Sequence, residues 1–281
     1  MVDVDEAMLT TYLRTNRAFM APVVEQAVGL LGLEGRRRVL DVGTGAGGGL
    51  VALARAAGGR ARVLGVDRNE GALALAREHA KEAGVLDQVH TETADLDEVA
   101  ARASGDDRFD AIWASDVIWP GNVEDPAAAV ARLAGALSPD GVLALFTSNY
   151  YSSTFLPGHT RLERRLLTAS ELNWGIPADG PDHYARHVHW MTAAGLRDVR
   201  LHVLPRVGFP SDADPTVRPY LERVVWPELL AAARARGEDA GMSKEDIARA
   251  EDLLTPGRPE YVVDEPGYYL VHPTLLVTGR R

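Results

Sequence analysis

A glycine-rich stretch near the start of the chain, RRVLDVGTGAGGGL, carries the residues best suited to bind a ligand. Glycine lets the backbone turn sharply and lets a bound molecule approach it closely. Gly43, Gly45 and Gly48 fit a G-x-G-x-x-G pattern, which favours a pyrophosphate at a helix N-terminus. Gly43, Gly45 and Gly47 fit a G-x-G-x-G pattern equally well, and that pattern favours a ligand without phosphate. The glycines therefore predict a ligand-binding turn but leave its ligand open.

Three aspartates help to choose between these ligands. Asp41 stands two residues before the turn, where its charge would repel a pyrophosphate but could orient a cationic amino group. Asp67 and Asp95 end the next two predicted strands, where carboxylates could accept ribose hydroxyls and recognise an adenine amino group. Each aspartate could instead cap a helix. Because all three stand at successive strand ends, a cationic nucleoside is favoured.

The elements that must position these residues alternate along the chain. Short apolar runs predict strands at 38–43, 61–67, 88–95, 109–116 and 141–149. Apolar residues at helical spacing predict helices between them. This order predicts a doubly wound, Rossmann-like α/β fold, because right-handed crossovers place helices on both faces of a parallel sheet. Gly84, Gly105 and the SPDG stretch at 138–141 are expected at helix ends and turns.

The pattern changes after residue 149. HTRLERRLLTASELNWG and DHYARHVHWMTAAG are typical of helices, whereas 196–207 and the closing GYYLVHPTLLVTGRR predict strands. Residues 211–260 are charged and mainly helical, and fifty residues are too many for a simple connector. We therefore expect them to form a helical cap at the ligand edge of the sheet. Residues 1–35 also have a helical pattern.

Composition excludes several classes of protein and site. The 281 residues carry a formal net charge of -10, so the chain lacks the basic surface that nucleic acids and anionic membranes attract. There is no cysteine, which excludes disulfides, thiolate zinc sites and cysteine nucleophiles. The acidic start MVDVDEAMLT lacks the layout of a signal peptide, and no apolar run reaches the ~18 residues of a membrane helix. These features predict a cytoplasmic protein with neither a nucleic-acid nor a membrane partner.

Five stretches resemble, in order, the motifs of class I S-adenosylmethionine-dependent methyltransferases: VLDVGTGAGG, VLGVDRN, TADLDE, FDAIWASDVIWP and LSPDGVLALFTSN. The resemblance covers residues 38–149 and extends more weakly to the two final strands. It implies a seven-stranded sheet whose last strand is antiparallel and follows a hairpin. It also implies an N-terminal helical lid. The predicted domains are then the lid (1–35), a cofactor-binding core (36–210 and 261–281) and the cap insert (211–260).

The resemblance further implies which residues would hold the cofactor, S-adenosyl-L-methionine, whose product is S-adenosyl-L-homocysteine. The methionine portion would contact Asp41, Gly43, Thr44, Gly45 and Gly47. The ribose would lie beside Asp67 and Arg68, and the adenine beside Asp95 and Leu96. The backbone of Ser115 would lie near the sulfonium, and Tyr12, Arg14 or Asn16 would bind the carboxylate.

Methyl transfer needs little fixed catalytic machinery, because its main requirement is an acceptor atom held in line with the methyl group. A base is needed only where the acceptor must lose a proton. The predicted catalytic residues follow strand ends or lie in the histidine-rich segment: Asp116, Asn149, Tyr150 and His187. Trp119 and Tyr151 lie beside them. The same side chains could instead serve turns and aromatic packing.

The histidines of DHYARHVHW leave three interpretations open. His183 and His187 are predicted to share one helical face, with His189 on another. A metal would need a third ligand, for example Asp182 or His159, and we predict no metal site. A structural role is favoured over that of a general base.

The predicted function is methyl transfer to an O, N or C atom of a small organic molecule, in specialised metabolism. A cap that encloses a pocket supports a small acceptor. Its Tyr220 and Trp226 could line that pocket or pack a helix face. The alternatives are transfer or cyclisation of the cofactor's aminobutyrate arm, a pericyclic reaction, a cofactor-sensing module and, last, a nicotinamide oxidoreductase. A homodimer is one assembly that we consider.

Overall fold

The computed structural model describes residues 6–210 and 214–281. The strands are β1 (Arg38–Val42), β2 (Arg62–Asp67), β3 (Val89–Thr93), β4 (Phe109–Ser115), β5 (Leu137–Ser148), β6 (Arg197–Gly208) and β7 (Leu270–Arg280). The helices are α1 (Glu6–Gly29), α2 (Gly48–Ala57), α3 (Glu70–Glu82), α4 (Leu96–Arg102), α5 (Pro126–Ala136), α6 (Thr160–Trp174), α7 (His187–Ala193), α8 (Val217–Tyr220), α9 (Trp226–Arg236) and α10 (Lys244–Leu254). Strands and helices alternate up to β5, as the apolar pattern predicts.

The strands form one seven-stranded sheet in the order β3-β2-β1-β4-β5-β7-β6. The pairs from β3 to β5 are parallel, and β7 runs antiparallel to β5. The predicted doubly wound α/β fold with an antiparallel last strand is therefore confirmed. Between β6 and β7 lies an insertion from Gly208 to Leu270 that carries α8, α9 and α10, so the hairpin that the resemblance implies is interrupted by helices where the sequence predicts a helical insert.

The central strands are buried on both faces, which explains their almost continuous apolar sequence. Leu40 of β1, Ile112 of β4 and Leu143 of β5 are completely buried in the main hydrophobic cluster. Val130 and Leu133 of α5 pack into the same cluster. The ends of these strands are thus fixed by a close-packed interior, which gives the loops that follow them a rigid base.

The SPDG stretch departs from the predicted simple turn. β5 already begins at Leu137, which pairs with Phe109, and the register then shifts so that Val142 pairs with Ala111. Within this irregularity Asp140 has a φ of 60°, a left-handed conformation that aspartate tolerates better than most residues. The four residues at 138–141 thus stand opposite the single residue Asp110 of β4, so the predicted turn lies within β5 and not before it.

The histidine-rich segment also differs from its prediction. A short 3₁₀ helix at Tyr184–Arg186 comes first, and α7 begins only at His187. His183 lies before both, and its Nδ1 accepts a hydrogen bond from the Ala185 amide at 3.1 Å. His183 and His187 therefore do not share the face of one helix, because His183 is the N-cap of the 3₁₀ helix and His187 is the first residue of α7.

Packing divides the chain into two compact units. The helical unit comprises Met1–Phe19, Asn149–Ala178 and Pro205–Pro273, and the sheet unit comprises Met20–Ser148, Asp179–Leu204 and Thr274–Arg281. The predicted lid, core and cap are functional divisions and stay predictions. The start of the predicted lid (1–5) and of the predicted cap (211–213) lie outside the described residues. Across the described part of the chain, no helix is long and apolar enough to cross a membrane.

Candidate functional site

The conformation of the turn after β1 distinguishes between the two glycine patterns. Gly43, Gly45 and Gly47 have φ values of 68°, 50° and 82°, all in the left-handed region that favours glycine. Gly48 is instead the first residue of α2. The residues that need glycine are therefore those of the G-x-G-x-G pattern.

The turn is also tightly packed where its glycines lie. A Cβ atom on Gly47 would stand 2.9 Å from the backbone Cα of Ala76, closer than side chains normally approach. The amides of Gly43 and Thr44 donate hydrogen bonds to the Val66 carbonyl at 2.8 and 3.0 Å. The turn is thereby tied to the end of β2 and held in place.

Asp41 is a buried carboxylate directly beside this turn. Its Oδ2 accepts a hydrogen bond from the Thr44 hydroxyl at 2.5 Å. Burial raises the pKa of Asp41 to about 7; the Thr44 hydroxyl lowers it, and the charge of Asp67 raises it further. No cationic side chain of the described residues pairs with Asp41. A cation placed beside it would therefore favour the ionised carboxylate.

Asp67, at the end of β2, connects the turn with the start of α3. Its Oδ2 accepts a hydrogen bond from the Gly45 amide at 3.0 Å, and its Oδ1 accepts one from the Asn69 amide at 2.9 Å. Asn69 caps α3, so Asp67 itself does not. The neighbouring Arg68 is exposed.

Asp95, after β3, does cap a helix. Its Oδ1 accepts a hydrogen bond from the Glu98 amide at 2.8 Å, while Glu98 Oε2 accepts one from the Asp95 amide at 3.1 Å. This reciprocal pair is a capping box at the start of α4, whose first residue, Leu96, is buried. Of the three strand-end aspartates, Asp95 is thus the one for which the capping interpretation holds.

The end of β4 is tied to the end of β5 through Asp116. The Ser148 amide and hydroxyl donate to Asp116 Oδ1 and Oδ2 at 2.7 and 2.8 Å. Asp116 has a φ of 54°, so the chain turns sharply directly after Ser115. Trp119 lies in the following turn. The arrangement orders the loop and engages both oxygens of the predicted catalytic carboxylate.

His187 is a buried histidine with partners for both ring nitrogens. Nδ1 lies 3.3 Å from the Thr147 hydroxyl, and Nε2 lies 3.3 Å from the Ile118 carbonyl. Burial lowers the pKa of His187 to about 4, so the ring is neutral. These contacts favour the structural interpretation. In the described part of the chain, no group of three or more acidic or histidine side chains is arranged to hold a metal, and His189 is exposed.

The helical unit brings three predicted acceptor residues close to a residue that the sequence did not single out, His272. The rings of Tyr150 and Tyr220 lie edge-on to its imidazole, with centroids 6.2 and 6.1 Å away. Ser153, whose Oγ is 2.6 Å from His272 Nδ1, also lies 3.5 Å from the Asn149 carbonyl. A single histidine in the apolar alternation of YYLVHPTLLV is the one signal that could have drawn attention to it.

Tyr150 also takes part in a polar cluster on Glu228. The hydroxyls of Tyr150 and Ser170 and the indole nitrogen of Trp174 donate to the Glu228 carboxylate at 3.0, 2.7 and 3.1 Å. Burial and the Glu228 charge raise the pKa of Tyr150 well above 10. Tyr150 is therefore a neutral hydrogen-bonding group rather than a phenolate, and Tyr151 stands beside it at a ring-centroid distance of 5.3 Å.

The remaining predicted residues have simpler environments. Trp226 is buried, and its indole nitrogen donates to the Tyr261 hydroxyl at 3.2 Å, which favours the packing interpretation. Tyr12, Arg14 and Asn16 lie on α1 within the helical unit, and their role toward a cofactor carboxylate stays a prediction.

Comparisons with known proteins identify the family. Residues 39–141 match the model of a family described as a methyltransferase domain. The ubiquinone biosynthesis O-methyltransferase of Paracidovorax citrulli is 32% identical over 193 residues, which cover 68% of this chain and 73% of that protein. The protein of the same name from Alkalilimnicola ehrlichii is 39% identical over 170 residues, 56% of this chain and 64% of that one. The chain therefore belongs to the class I S-adenosylmethionine-dependent methyltransferases.

Solved structures share the fold at low sequence identity. A protein of Bacillus halodurans C-125 that is proposed to be a methyltransferase has a TM-score of 0.54 and 17% identity, over 92% of this chain and 97% of that one. The [4+2]-cyclase SpnF has a TM-score of 0.51 and 18% identity, over 93% of this chain and 81% of that one. At such identities the likeness is one of fold, and this fold carries more than one chemistry.

Proposed function

We propose that this protein binds S-adenosylmethionine and transfers its methyl group to an oxygen, nitrogen or carbon atom of a small organic molecule. The observation that carries the proposal is the turn after β1. There, Thr44 and Gly45 bond to the carboxylates of Asp41 and Asp67 within a run of left-handed glycines. Membership of the family makes methyl transfer the expected chemistry of such a turn.

The groups at this turn fit the cofactor. Asp41 offers a buried carboxylate to the methionine amino group, and that cation would offset the desolvation that now raises its pKa to about 7. Each oxygen of Asp67 accepts one backbone hydrogen bond and keeps a lone pair for a ribose hydroxyl. When bound, S-adenosylmethionine supplies a methyl group on a sulfonium leaving group. The contacts predicted for Arg68, Leu96 and Ser115 belong to the same proposal.

The protein's own contribution to the reaction is the alignment of the acceptor. Such alignment can lower an activation barrier by roughly 7–11 kcal/mol. Tyr150 donates its one hydroxyl proton to Glu228 and cannot act as a base near neutral pH, because its pKa is raised well above 10. Asp116 and Asn149 stay predicted acceptor-side residues. We assign no step to His187, since Thr147 and Ile118 already engage its ring.

A small acceptor from specialised metabolism remains the preferred substrate class. The relatives named ubiquinone biosynthesis O-methyltransferase make an oxygen acceptor the first to test. The first of them matches along 64% of its own length, so its substrate does not transfer directly. A cytoplasmic location and a homodimer are parts of the same proposal.

Calorimetric titration tests the cofactor assignment. We expect S-adenosylmethionine and S-adenosylhomocysteine to bind the wild-type protein, and NAD to give no heat of binding. Asp67→Asn should weaken binding at least tenfold, because it loses a charged acceptor at the turn. Asp110→Asn is the matched control, since Asp110 lies at the opposite end of β4 and bonds to the Arg37 and Arg38 amides. Tight NAD binding without a response to S-adenosylmethionine would overturn the proposal.

The product distinguishes methyl transfer from the other chemistries of this fold. Incubation with S-adenosylmethionine and a panel of phenols, amines and activated carbon acids should yield S-adenosylhomocysteine. Methylthioadenosine would instead indicate transfer or cyclisation of the aminobutyrate arm. A cofactor that is bound and never consumed would point to a pericyclase or a sensing module.

A further inference from the structure

We propose that the helical unit contains an aromatic slot, formed by Tyr220, Arg206 and His272, that accepts a hydroxylated aromatic ring. In this structure the ring of Phe19 occupies the slot. The inference rests on the proposed function, because it names the class of acceptor that the methyltransferase would take.

The two faces of the slot are a tyrosine ring and a guanidinium group. The rings of Phe19 and Tyr220 are stacked, with centroids 3.8 Å apart and planes 4° from parallel. The Arg206 guanidinium carbon stands over the Phe19 ring, 4.8 Å from its centroid. Because Tyr220 covers one face at contact distance, the guanidinium covers the other. The gap between Tyr220 and Arg206 is therefore as wide as one flat ring.

Phenylalanine does not use this space to best advantage. Stacked carbon atoms lie roughly 3.5–4.0 Å apart, so a centroid distance of 3.8 Å leaves little sideways offset. Aromatic pairs prefer an offset or edge-on arrangement to such a face-to-face sandwich. A cation over a ring is attracted by the negative face of its π system. A hydroxylated ring would keep this attraction and would add a polar group that phenylalanine lacks.

His272 supplies a polar group beside the slot. It is completely buried, and within the described residues its Nε2 has no hydrogen-bond partner. The Ser153 hydroxyl lies 2.6 Å from Nδ1 but 3.5 Å from the Asn149 carbonyl, so its proton is best directed to Nδ1. The imidazole proton then lies on Nε2. A buried donor without an acceptor destabilises the folded protein, and a ligand oxygen would remove that penalty.

The imidazole is within reach of a ring in the slot. Its centroid is 6.2 Å from that of Phe19 and 6.1 Å from that of Tyr220. Phenylalanine carries no substituent that could bond to the imidazole, whereas a ring hydroxyl would extend into this separation. Burial lowers the pKa of His272 to about 3, so the ring is a neutral donor and not a base. The slot thus combines two stacking faces with a neighbouring imidazole that has an unpartnered nitrogen.

The backbone on either side of His272 is firmly held, as a recognition group requires. The Thr154 amide donates to the Val271 carbonyl at 2.8 Å, and the Val271 amide donates back at 3.0 Å. The Asn149 amide donates to the Pro273 carbonyl at 3.0 Å. Phe19 is held too, because Arg206 Nε donates to its carbonyl at 2.9 Å. An acceptor ring must therefore compete with the Phe19 side chain for the slot.

Catechol is a suitable probe, since it is a small ring with two hydroxyl groups. We would titrate it calorimetrically into the full-length protein, with and without S-adenosylhomocysteine. Phe19→Leu should tighten catechol binding about fivefold or more, because leucine has no flat ring to compete for the slot. Leucine still supplies most of the buried volume of phenylalanine, so the variant should fold. His272→Phe should weaken it about tenfold, the effect of one lost hydrogen bond of about 1.4 kcal/mol.

Phe155→Leu is the matched control for Phe19→Leu. Phe155 is equally buried and also lies against His272, with centroids 5.9 Å apart, but it has no contact with Arg206 or Tyr220 among the ring contacts described. It should lose similar stability without any gain in catechol affinity. Equal effects of the two leucine variants, unchanged binding in His272→Phe, or no catechol binding by the wild type would each overturn the slot. Failure to bind S-adenosylhomocysteine would count against the proposed function alone. The catechol titration in the absence of S-adenosylhomocysteine would still test the slot.

Discussion

The glycine turn of the sheet unit and the aromatic slot of the helical unit are built in opposite ways. The turn is a single run of backbone, from Asp41 to Gly47, with one outside carboxylate, Asp67, bonded to it. The slot consists of side chains from separate segments of the chain, Phe19, Arg206, Tyr220 and His272. A site made of backbone leaves a local motif in the sequence, whereas a site made of distant side chains leaves none.

Both regions nevertheless hold one buried titratable group away from its ordinary pKa, for the same reason. Burial disfavours the charged form, so it raises the pKa of Asp41 to about 7 and lowers that of His272 to about 3. In each case the ligand that we propose would supply the missing partner, a cation for Asp41 and an oxygen for His272. Groups that reduce stability in the free protein are good candidates for groups that bind.

The largest expected effect is that of Asp41→Asn. Its folded-state pKa lies above the unfolded value of 3.8, so the wild type loses stability as pH rises from about 4 to about 7. The amide carries no charge, so the variant should gain up to about 4 kcal/mol of unfolding free energy at pH 8 and nothing at pH 4. It should also bind S-adenosylmethionine at least a hundredfold more weakly. Urea denaturation at both pH values and calorimetry measure the two effects.

Asp110→Asn serves as the opposite case for Asp41→Asn. The Asp110 carboxylate accepts hydrogen bonds from the Arg37 and Arg38 amides and the Ser138 hydroxyl. These bonds lower its pKa, although partial burial opposes them. Its substitution should therefore reduce stability at pH 8 and leave cofactor affinity unchanged. If both variants shift stability in the same direction, burial of Asp41 is not the cause.

The second expected effect separates a glycine required by close packing from one required by conformation alone. Gly47→Ala must place a Cβ against the backbone of Ala76 at a φ of 82° and should cost about 3 kcal/mol or more. Gly84→Ala has a similar φ, 71°, but nothing within 4 Å, and should cost only about 1–2 kcal/mol. Denaturation midpoints of the two variants, compared with the wild type, decide whether the turn is held by its neighbours.

Most of the fold and of the turn could be predicted from the sequence, because both depend on local patterns. The apolar runs mark the strands within a few residues, and the acidic and glycine residues mark their ends. The choice between the two glycine patterns needed φ angles, which composition does not reveal. The register shift around Asp140 and the late start of α7 at His187 are not predicted by the sequence, because a left-handed aspartate and a local cap at His183 interrupt the apolar spacing there.

The acceptor side could be predicted only in part. Tyr150 and Tyr220 stood out as aromatic residues, but nothing in the sequence links them to His272 or to Phe19 of α1. Such contacts depend on tertiary packing between segments more than fifty residues apart. The environment of His187 was equally hidden, since a histidine with two partners and one with a single partner look alike in a sequence.

The third expected effect compares these two buried histidines. His187→Phe should cost about 2 kcal/mol, because Thr147 and the Ile118 carbonyl lose their partner in the core. His272→Phe should cost less, at most about 1 kcal/mol, because the loss of the Ser153 hydrogen bond to Nδ1 is offset by the removal of an unpartnered nitrogen. Both pKa values are lowered, so the wild type loses stability as pH falls below about 6.5, and each variant should lose part of that acid sensitivity. Equal destabilisation by the two changes would show that His272 Nε2 has a partner.

The smallest expected effect tests whether Asp95 does more than cap α4. Ser243 forms the same kind of capping box at α10, in the helical unit, so Asp95→Ala and Ser243→Ala should each cost about 1 kcal/mol. Only Asp95→Ala should also weaken S-adenosylhomocysteine binding, by the few-fold to tenfold that one lost hydrogen bond to adenine implies. Thermal unfolding and calorimetry on the pair separate the two roles. If the affinities match, Asp95 is a helix cap alone, and recognition at the turn rests on Asp41 and Asp67.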